Sequence, residues 1–214
     1  MLHSLFEIFL RRRFAWLLAL LLAAIGVDPV LETLGLRGRA IEWLLALALL
    51  AAAVGTWRER VSRVLLLGLV VALAAWLALH VARFGAGPAL APALLGAAGL
   101  AMAASLLPGV LGEGRVDAER VCAALCVYLL AGIAFGGLFA ALETHAPGSL
   151  AGAKPIDLDD AIYFSFVTLA TLGYGDITPA ASATRSLAVL EAVFGQLYLA
   201  VLIARLVSLY AREW

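Results

Sequence analysis

Apolar residues run along this chain in long blocks, which short polar or basic stretches separate. Six blocks are long enough for spanning helices, at about 14–30, 40–57, 61–84, 89–110, 116–142 and 184–210. An α-helix needs ~20 apolar residues to cross a bilayer, with a lower end near 17. The pattern therefore predicts an all-α membrane protein with six transmembrane helices.

A seventh apolar block, residues 158–170, is too short to span and precedes a glycine-rich loop. Asp157, Asp159 and Asp160 stand at its start, where carboxylates favour the positive end of a helix dipole. We expect a re-entrant pore helix whose C-terminal end points into the membrane. The partial negative charge of that end favours a cation there.

Composition and charge placement strengthen the membrane assignment. The chain has 64% hydrophobic and only 14% charged residues, and its net charge is zero. Soluble domains carry about 25% charged residues, so the composition excludes a soluble domain.

Basic residues of short loops remain on the cytoplasmic side. With six crossings one face holds Arg11, Arg12, Arg13, Arg58, Arg60, Arg63, Arg115, Arg120 and Arg212. We therefore expect a multi-pass protein of the cell inner (plasma) membrane with both termini cytoplasmic. The Ala- and Leu-rich usage favours a bacterial source.

The blocks divide into two predicted modules. Residues 1–112 form a four-helix peripheral module, and residues 113–214 form an outer helix, a pore helix, a loop and an inner helix. The fourth block, 89–110, contains no charged residue. One charge that crosses the membrane field contributes about 2.3 kcal/mol per 100 mV, so steep voltage gating needs several. We predict little voltage dependence from the peripheral module.

The loop after the short helix reads Thr171, Leu172, Gly173, Tyr174, Gly175 and Asp176. A dehydrated cation needs oxygen ligands, and rings of backbone carbonyls from four subunits supply them in potassium filters. Gly173 and Gly175 tolerate positive φ, so they allow the carbonyls to turn inward. Irregular backbone at membrane depth must be buried in protein or line a cavity. This condition predicts a homotetramer.

Residues 161–179 resemble the pore region of the tetrameric potassium channel superfamily, and the chain is similar to its prokaryotic six-transmembrane-helix type with voltage-gated-channel-like topology. The resemblance implies potassium binding at Thr171, Leu172, Gly173 and Tyr174, with Gly175 completing the filter. It implies that Asp176 stands behind the outer mouth and that Tyr163 hydrogen-bonds to it. It also makes Gly195 a candidate gating hinge. The sequence departs from many relatives at Val167, where some bacterial members carry a glutamate, and at Ala170.

Two residues of the last block carry alternative interpretations. Glu191 is an intramembrane carboxyl, a type of residue that is expensive and often functional. It either faces the back of the filter or the pore helix and tunes the site, or makes a buried hydrogen bond to a neighbouring hydroxyl or backbone group. Gly195 is either a hinge or a point of close helix packing.

The function predicted from these residues is passive potassium conduction across the membrane. No catalytic constellation is present, so no enzyme activity is expected. No cofactor is expected beyond K⁺ as the permeant ion. The expected partners are membrane lipids and further copies of the chain, and no nucleic acid is expected to bind. Two alternatives remain open, a non-conducting regulatory subunit and a potassium transporter subunit. Such transporters usually carry four pore-like repeats in one chain, and this chain carries one.

Overall fold

A computed structural model describes residues 12–26, 90–112 and 117–210, apart from the side chains of residues 90, 209 and 210. This part of the chain is mostly helical. Its elements are α1 (Arg13–Gly26), α2 (Leu90–Leu111), α3 (Ala118–His145), β1 (Leu150–Ala151), α4 (Leu158–Leu169), β2 (Thr178–Pro179) and α5 (Ser182–Tyr210). The predicted spans at 40–57 and 61–84 lie outside the described residues.

Helices α2, α3 and α5 are long and apolar enough to cross a membrane, over Ala91–Leu111, Ala118–His145 and Ser182–Ser208. They correspond to the predicted fourth, fifth and sixth spans. Helix α1 has 14 residues and is shorter than a full span. The helical content and these three helices agree with a multi-pass membrane protein, and the total of six spans stays a prediction.

The chain groups into two compact units, whose borders fall inside α2 and α3. The described part of the first unit consists of residues 12–26, 102–112 and 117–129, and that of the second consists of 90–101 and 130–210. Each unit is held by its own contacts. The predicted border between residues 112 and 113 stays a prediction.

In the first unit, side chains of α3 hold the beginning of α1. The Phe14 amide donates to Glu119 Oε2 at 3.0 Å, which satisfies an N–H group near a helix start. At the end of α2, the Arg120 guanidinium donates to the carbonyls of Gly109 at 3.1 Å and Gly112 at 2.9 Å. These contacts satisfy carbonyls that a helix end leaves without intrahelical partners.

In the second unit, glycines let α3 approach its neighbours closely, as expected for helices packed in a membrane. A Cβ on Gly137 would lie 2.7 Å from the Gly96 backbone nitrogen, so α2 and α3 are in backbone contact here. A Cβ on Gly136 would lie 2.7 Å from Ile162 Cα of α4. Only glycine fits either position without moving a helix.

A buried cluster joins α3 to α4 in the second unit. Phe139 and Phe164 pack edge to face with ring centroids 4.9 Å apart, a favoured aromatic geometry. Ala140, Leu150 and Ala161 complete the buried cluster. The position of α4 against α3 is therefore fixed by apolar packing.

The segment between α3 and α4 is anchored to the start of α5. Strands β1 and β2 pair antiparallel, Leu150 with Pro179 and Ala151 with Thr178. The Ser149 carbonyl accepts from the Ala180 amide at 2.8 Å and from the Thr184 hydroxyl at 2.7 Å. These bonds connect the residues before α4 to the residues after the loop, so the two ends of the α4-loop segment are held next to each other.

Candidate functional site

Helix α4 begins at a capping box. The Asp157 carboxylate accepts from the Asp160 amide at 2.9 Å, and the Asp160 carboxylate accepts from the Asp157 amide at 3.3 Å. This reciprocal arrangement satisfies two N–H groups that lack helical partners. Lys154 also lies 3.1 Å from Asp160. The acidic residues therefore stand at the N-terminal end of α4, as the sequence predicts.

The other end of α4 leads directly into the glycine-rich loop. The amides of Ala170, Thr171 and Leu172 donate to the carbonyls of Phe166, Thr168 and Val167, at 3.0, 3.0 and 2.8 Å. These bonds continue past the last helical residue, Leu169. The first loop residues are thus held against the helix end by backbone contacts.

Every second residue of the loop has a positive φ. The angles are 56° at Thr171, 62° at Gly173 and 79° at Gly175. Glycine adopts this conformation at little cost, and the sequence predicts it at both glycines. At a β-branched residue such as Thr171 a positive φ is an outlier, and nothing in the sequence pattern indicates it. The backbone therefore differs from a regular strand in a repeating manner.

The loop is exposed on the isolated chain. Residues 170–176 are all exposed, and the side chains of Leu172 and Tyr174 are 56% and 67% exposed. A Cβ on Gly173 or on Gly175 would meet nothing within 4 Å. Among the described residues, nothing covers this irregular backbone.

Tyr163 and Asp176 meet across the loop. The Tyr163 hydroxyl donates to Asp176 Oδ2 at 2.7 Å. This hydrogen bond is the main cause that holds the pKa of Asp176 below its ordinary value. Val167 is buried and carries no carboxyl, and the Tyr163 hydroxyl is a described side-chain donor to Asp176.

Replacing Tyr163 with Phe should raise the pKa of Asp176 towards its ordinary value. The ionised form loses its hydrogen-bond donor, whereas the neutral form loses little. A lowered pKa contributes stability that is present above the ordinary pKa and is lost as pH falls through the lowered one. In the variant this contribution is absent. A carbon-13 NMR titration of the Asp176 carboxyl in both proteins measures the shift, with Asp176→Asn to assign the signal. An unchanged titration in Tyr163→Phe would show that the hydrogen bond does not act on Asp176.

Glu191 does not reach the loop. It lies on α5, is fully buried, and its Oε1 is hydrogen-bonded to the Ser165 hydroxyl of α4. The Ser165 oxygen also lies 2.7 Å from the Gly132 carbonyl of α3. Both interpretations of Glu191 are compatible with this position, because Ser165 is a neighbouring hydroxyl on the pore helix itself.

Gly195 lies one turn further along α5 and is also buried. A Cβ here would lie 2.6 Å from the Leu169 carbonyl oxygen, at the last residue of α4. Close packing therefore has a direct structural reason. Bending at Gly195 stays a prediction.

No local sequence pattern identifies Ser165 or the Gly132 carbonyl as part of the site. The only signal for Ser165 was a hydroxyl in the apolar part of a short helix, where a buried polar group requires a partner. In the part of the chain that the structure describes, no three His, Cys, Asp or Glu side chains are grouped to hold a metal ion.

The part of the chain that contains α4 and the glycine-rich loop also matches a known protein family. A family model described as "Ion channel" matches residues 123–212, which include α4, the loop and most of α3 and α5. The match supports an ion channel and a membrane protein with several spans. No solved structure matches the chain significantly.

Similar curated proteins include two plant potassium channels. "Two pore potassium channel c" of Oryza sativa subsp. japonica is 37% identical over 84 residues, which cover 39% of this chain and 17% of that protein. "Two-pore potassium channel 4" of Arabidopsis thaliana is 47% identical over 49 residues, which cover 23% and 17% of the respective chains.

A bacterial protein, "Protein LctB" of Geobacillus stearothermophilus, is 41% identical over 64 residues, which cover 30% of this chain and 47% of that protein. The alignments thus cover less than half the length of each of these three relatives. Together with the family match, these alignments show that part of this chain resembles known potassium channels.

Proposed function

We propose that this chain is one subunit of a homotetrameric, potassium-selective channel, in which four copies of residues 171–175 form the filter. K⁺ would bind at Thr171, Leu172, Gly173 and Tyr174 through backbone carbonyls and the Thr171 hydroxyl. Conduction is passive, down the electrochemical gradient. The ion channel match favours such a channel over an enzyme.

The observation that carries the proposal is the exposed loop with alternating backbone handedness at the end of a short capped helix. Non-helical backbone at membrane depth is tolerated only where it is buried in protein or lines a water-filled cavity. One chain leaves residues 170–176 uncovered. Four copies around one axis would cover the outer side of the loop and leave its carbonyls for ions.

Electrostatics around the loop also favour a cation. The C-terminal end of α4 lies at the loop and carries the negative end of the helix dipole. Asp176 follows the filter, and its lowered pKa keeps the carboxylate ionised. We place Asp176 and Tyr163 at the outer mouth as filter support, with Glu191 behind the pore helix.

Helix α5 presents an apolar face that the described part of the chain does not cover. Four of its exposed residues recur at a spacing of four, as on one side of a helix. They are Val189, Val193, Leu197 and Val201. In a tetramer this face would contact a second copy or line the inner cavity, which supports α5 as the inner helix.

We further propose that the channel responds little to voltage. Helix α2, the predicted fourth span, has no Lys, Arg, Asp or Glu in its 22 residues. Without charges that move across the field, the membrane potential does little work on this helix. We place the channel in a bacterial inner membrane with both termini cytoplasmic.

A flux measurement on purified full-length protein in liposomes tests this function. We expect potassium efflux that sodium does not replace, and a detergent-solubilised mass of four 22.4 kDa chains. Planar-bilayer recordings in symmetric potassium should show a conductance that changes little with voltage. A tetramer without flux would favour a regulatory subunit, whereas a monomer with slow, saturable uptake would favour a transporter subunit.

A further inference from the structure

Hydrogen bonds connect three oxygen atoms that belong to three helices, α3, α4 and α5. Ser165 Oγ of α4 lies 2.7 Å from the Gly132 carbonyl oxygen of α3, and it is also hydrogen-bonded to Glu191 Oε1 of α5. Ser165 and Glu191 are both fully buried. The contacts join residues 33 and 26 positions apart in the chain.

The number of protons in this group determines the protonation state of Glu191. Each O–H···O hydrogen bond needs one proton between its two oxygens. Ser165 has a single O–H, a backbone carbonyl has none, and an ionised carboxylate has none. Two contacts need two protons, so the second one has to come from the carboxyl of Glu191.

The surroundings of Glu191 also favour a protonated carboxyl. Its second oxygen, Oε2, is buried and has no hydrogen-bond partner among the described residues. No ion pair to Glu191 occurs in that part of the chain either. A buried carboxylate without a cation or donors costs several kcal/mol, whereas a neutral carboxyl leaves only a carbonyl oxygen unpaired.

We infer that Glu191 is a neutral carboxylic acid that donates its proton to Ser165, which in turn donates to the Gly132 carbonyl. These two bonds connect α5, α4 and α3 in one hydrogen-bond chain. The inference rests on the packing of three helices and not on the identity of the permeant ion.

This hydrogen-bond chain makes Glu191 a positioning residue for the filter. Ser165 lies one turn before Leu169 on α4, and Glu191 lies one turn before Gly195 on α5. Because Gly195 packs against the Leu169 carbonyl, the two helices meet twice, one turn apart on each. Leu169 is two residues before Thr171, so this double contact sets where the filter begins.

Infrared difference spectroscopy of the full-length protein in lipid tests the protonation state. We expect the carbonyl stretching band of a protonated carboxyl at neutral pH, and its loss in Glu191→Gln. Glu143→Gln is the matched control, because both oxygens of Glu143 accept from backbone amides, of Gly148 and Leu150, and need no proton. Loss of carboxylate bands alone in Glu191→Gln would overturn the inference.

A second variant covers the case in which Glu191→Gln does not assemble. Ser165→Ala removes the acceptor of the carboxyl proton, so the protonated-carboxyl band should shift in frequency. A band that is absent, or that stays in place, would contradict the inference. These outcomes do not depend on potassium flux, so a failure of the channel proposal is distinguishable from a failure of this one.

Rescue by a conservative side chain tests the positioning role. Glu191→Leu cannot donate to Ser165 and should lower the tetramer's melting temperature by several degrees, because Ser165 then lacks a donor inside the protein. Glu191→Gln keeps an N–H donor and a carbonyl of similar shape, so its melting temperature should stay within about 2 °C. Equal loss in both variants would contradict donation by the Glu191 side chain.

Discussion

Replacing Gly173 with alanine is expected to reduce potassium-selective flux by at least about tenfold, which corresponds to about 1.4 kcal/mol. Gly173 has a φ of 62°, and an added Cβ there would meet nothing within 4 Å. The substitution therefore introduces backbone strain without a steric clash. An L-residue in this conformation costs about 1–2 kcal/mol, so the loop tends to relax to a negative φ and turns a carbonyl away from its proposed ligand position.

Gly148→Ala is the matched control for this effect. Gly148 also has a positive φ, 87°, and an added Cβ there would also meet nothing within 4 Å. It lies between α3 and β1 and is not part of residues 171–175. Both variants thus carry similar strain, but only Gly173→Ala should change the ratio of potassium to sodium flux in liposomes. Equal losses of selectivity would show that the alternating backbone of the loop does not set it.

Replacing Gly195 with alanine is expected to destabilise the protein. The new Cβ would lie 2.6 Å from the Leu169 carbonyl oxygen, which belongs to the backbone and moves only if a helix moves. Overpacking of this kind costs about 1–3 kcal/mol. The higher helix propensity of alanine offsets up to about 1 kcal/mol of it.

Gly109→Ala isolates the propensity contribution, because Gly109 lies in α2 and an added Cβ there would meet nothing within 4 Å. This control should be neutral or slightly stabilising. The difference in unfolding free energy between the two variants, from thermal denaturation in detergent, then reports the contact of α5 with α4. If Gly195→Ala alters channel opening at unchanged stability, Gly195 acts as a hinge and its close packing is energetically unimportant.

The sequence and the structure agree best where the controlling interactions are local. The acidic start of α4, its end before the loop, and the apolar lengths of α2, α3 and α5 depend on residues close together in the chain. The positive φ values of Gly173 and Gly175 also follow from the residue type. The six-span topology and the roles of Asp176, Tyr163, Glu191 and Gly195 stay predictions, with Tyr163 and Asp176 placed in contact.

Other features of the site depend on how the helices pack. Thr171 adopts a positive φ although its residue type disfavours it, and the amides of Thr171 and Leu172 are bonded to carbonyls of α4 on either side of this angle. The partner of Glu191 is Ser165, 26 positions away, and no local periodicity specifies such a pair.

By itself, the sequence determined that this protein is a helical membrane protein with a potassium-filter-like loop. A bilayer requires long apolar helices, and positive φ favours glycine, so both appear directly in the order of residues. Only the tertiary structure decided which groups of α5 contact α4, the helix that leads into that loop. The contacts of Glu191 with Ser165, and of Gly195 with Leu169, depend on the relative position of two helices. That position results from packing and hydrogen bonding summed over many distant residues, which no short stretch of sequence encodes.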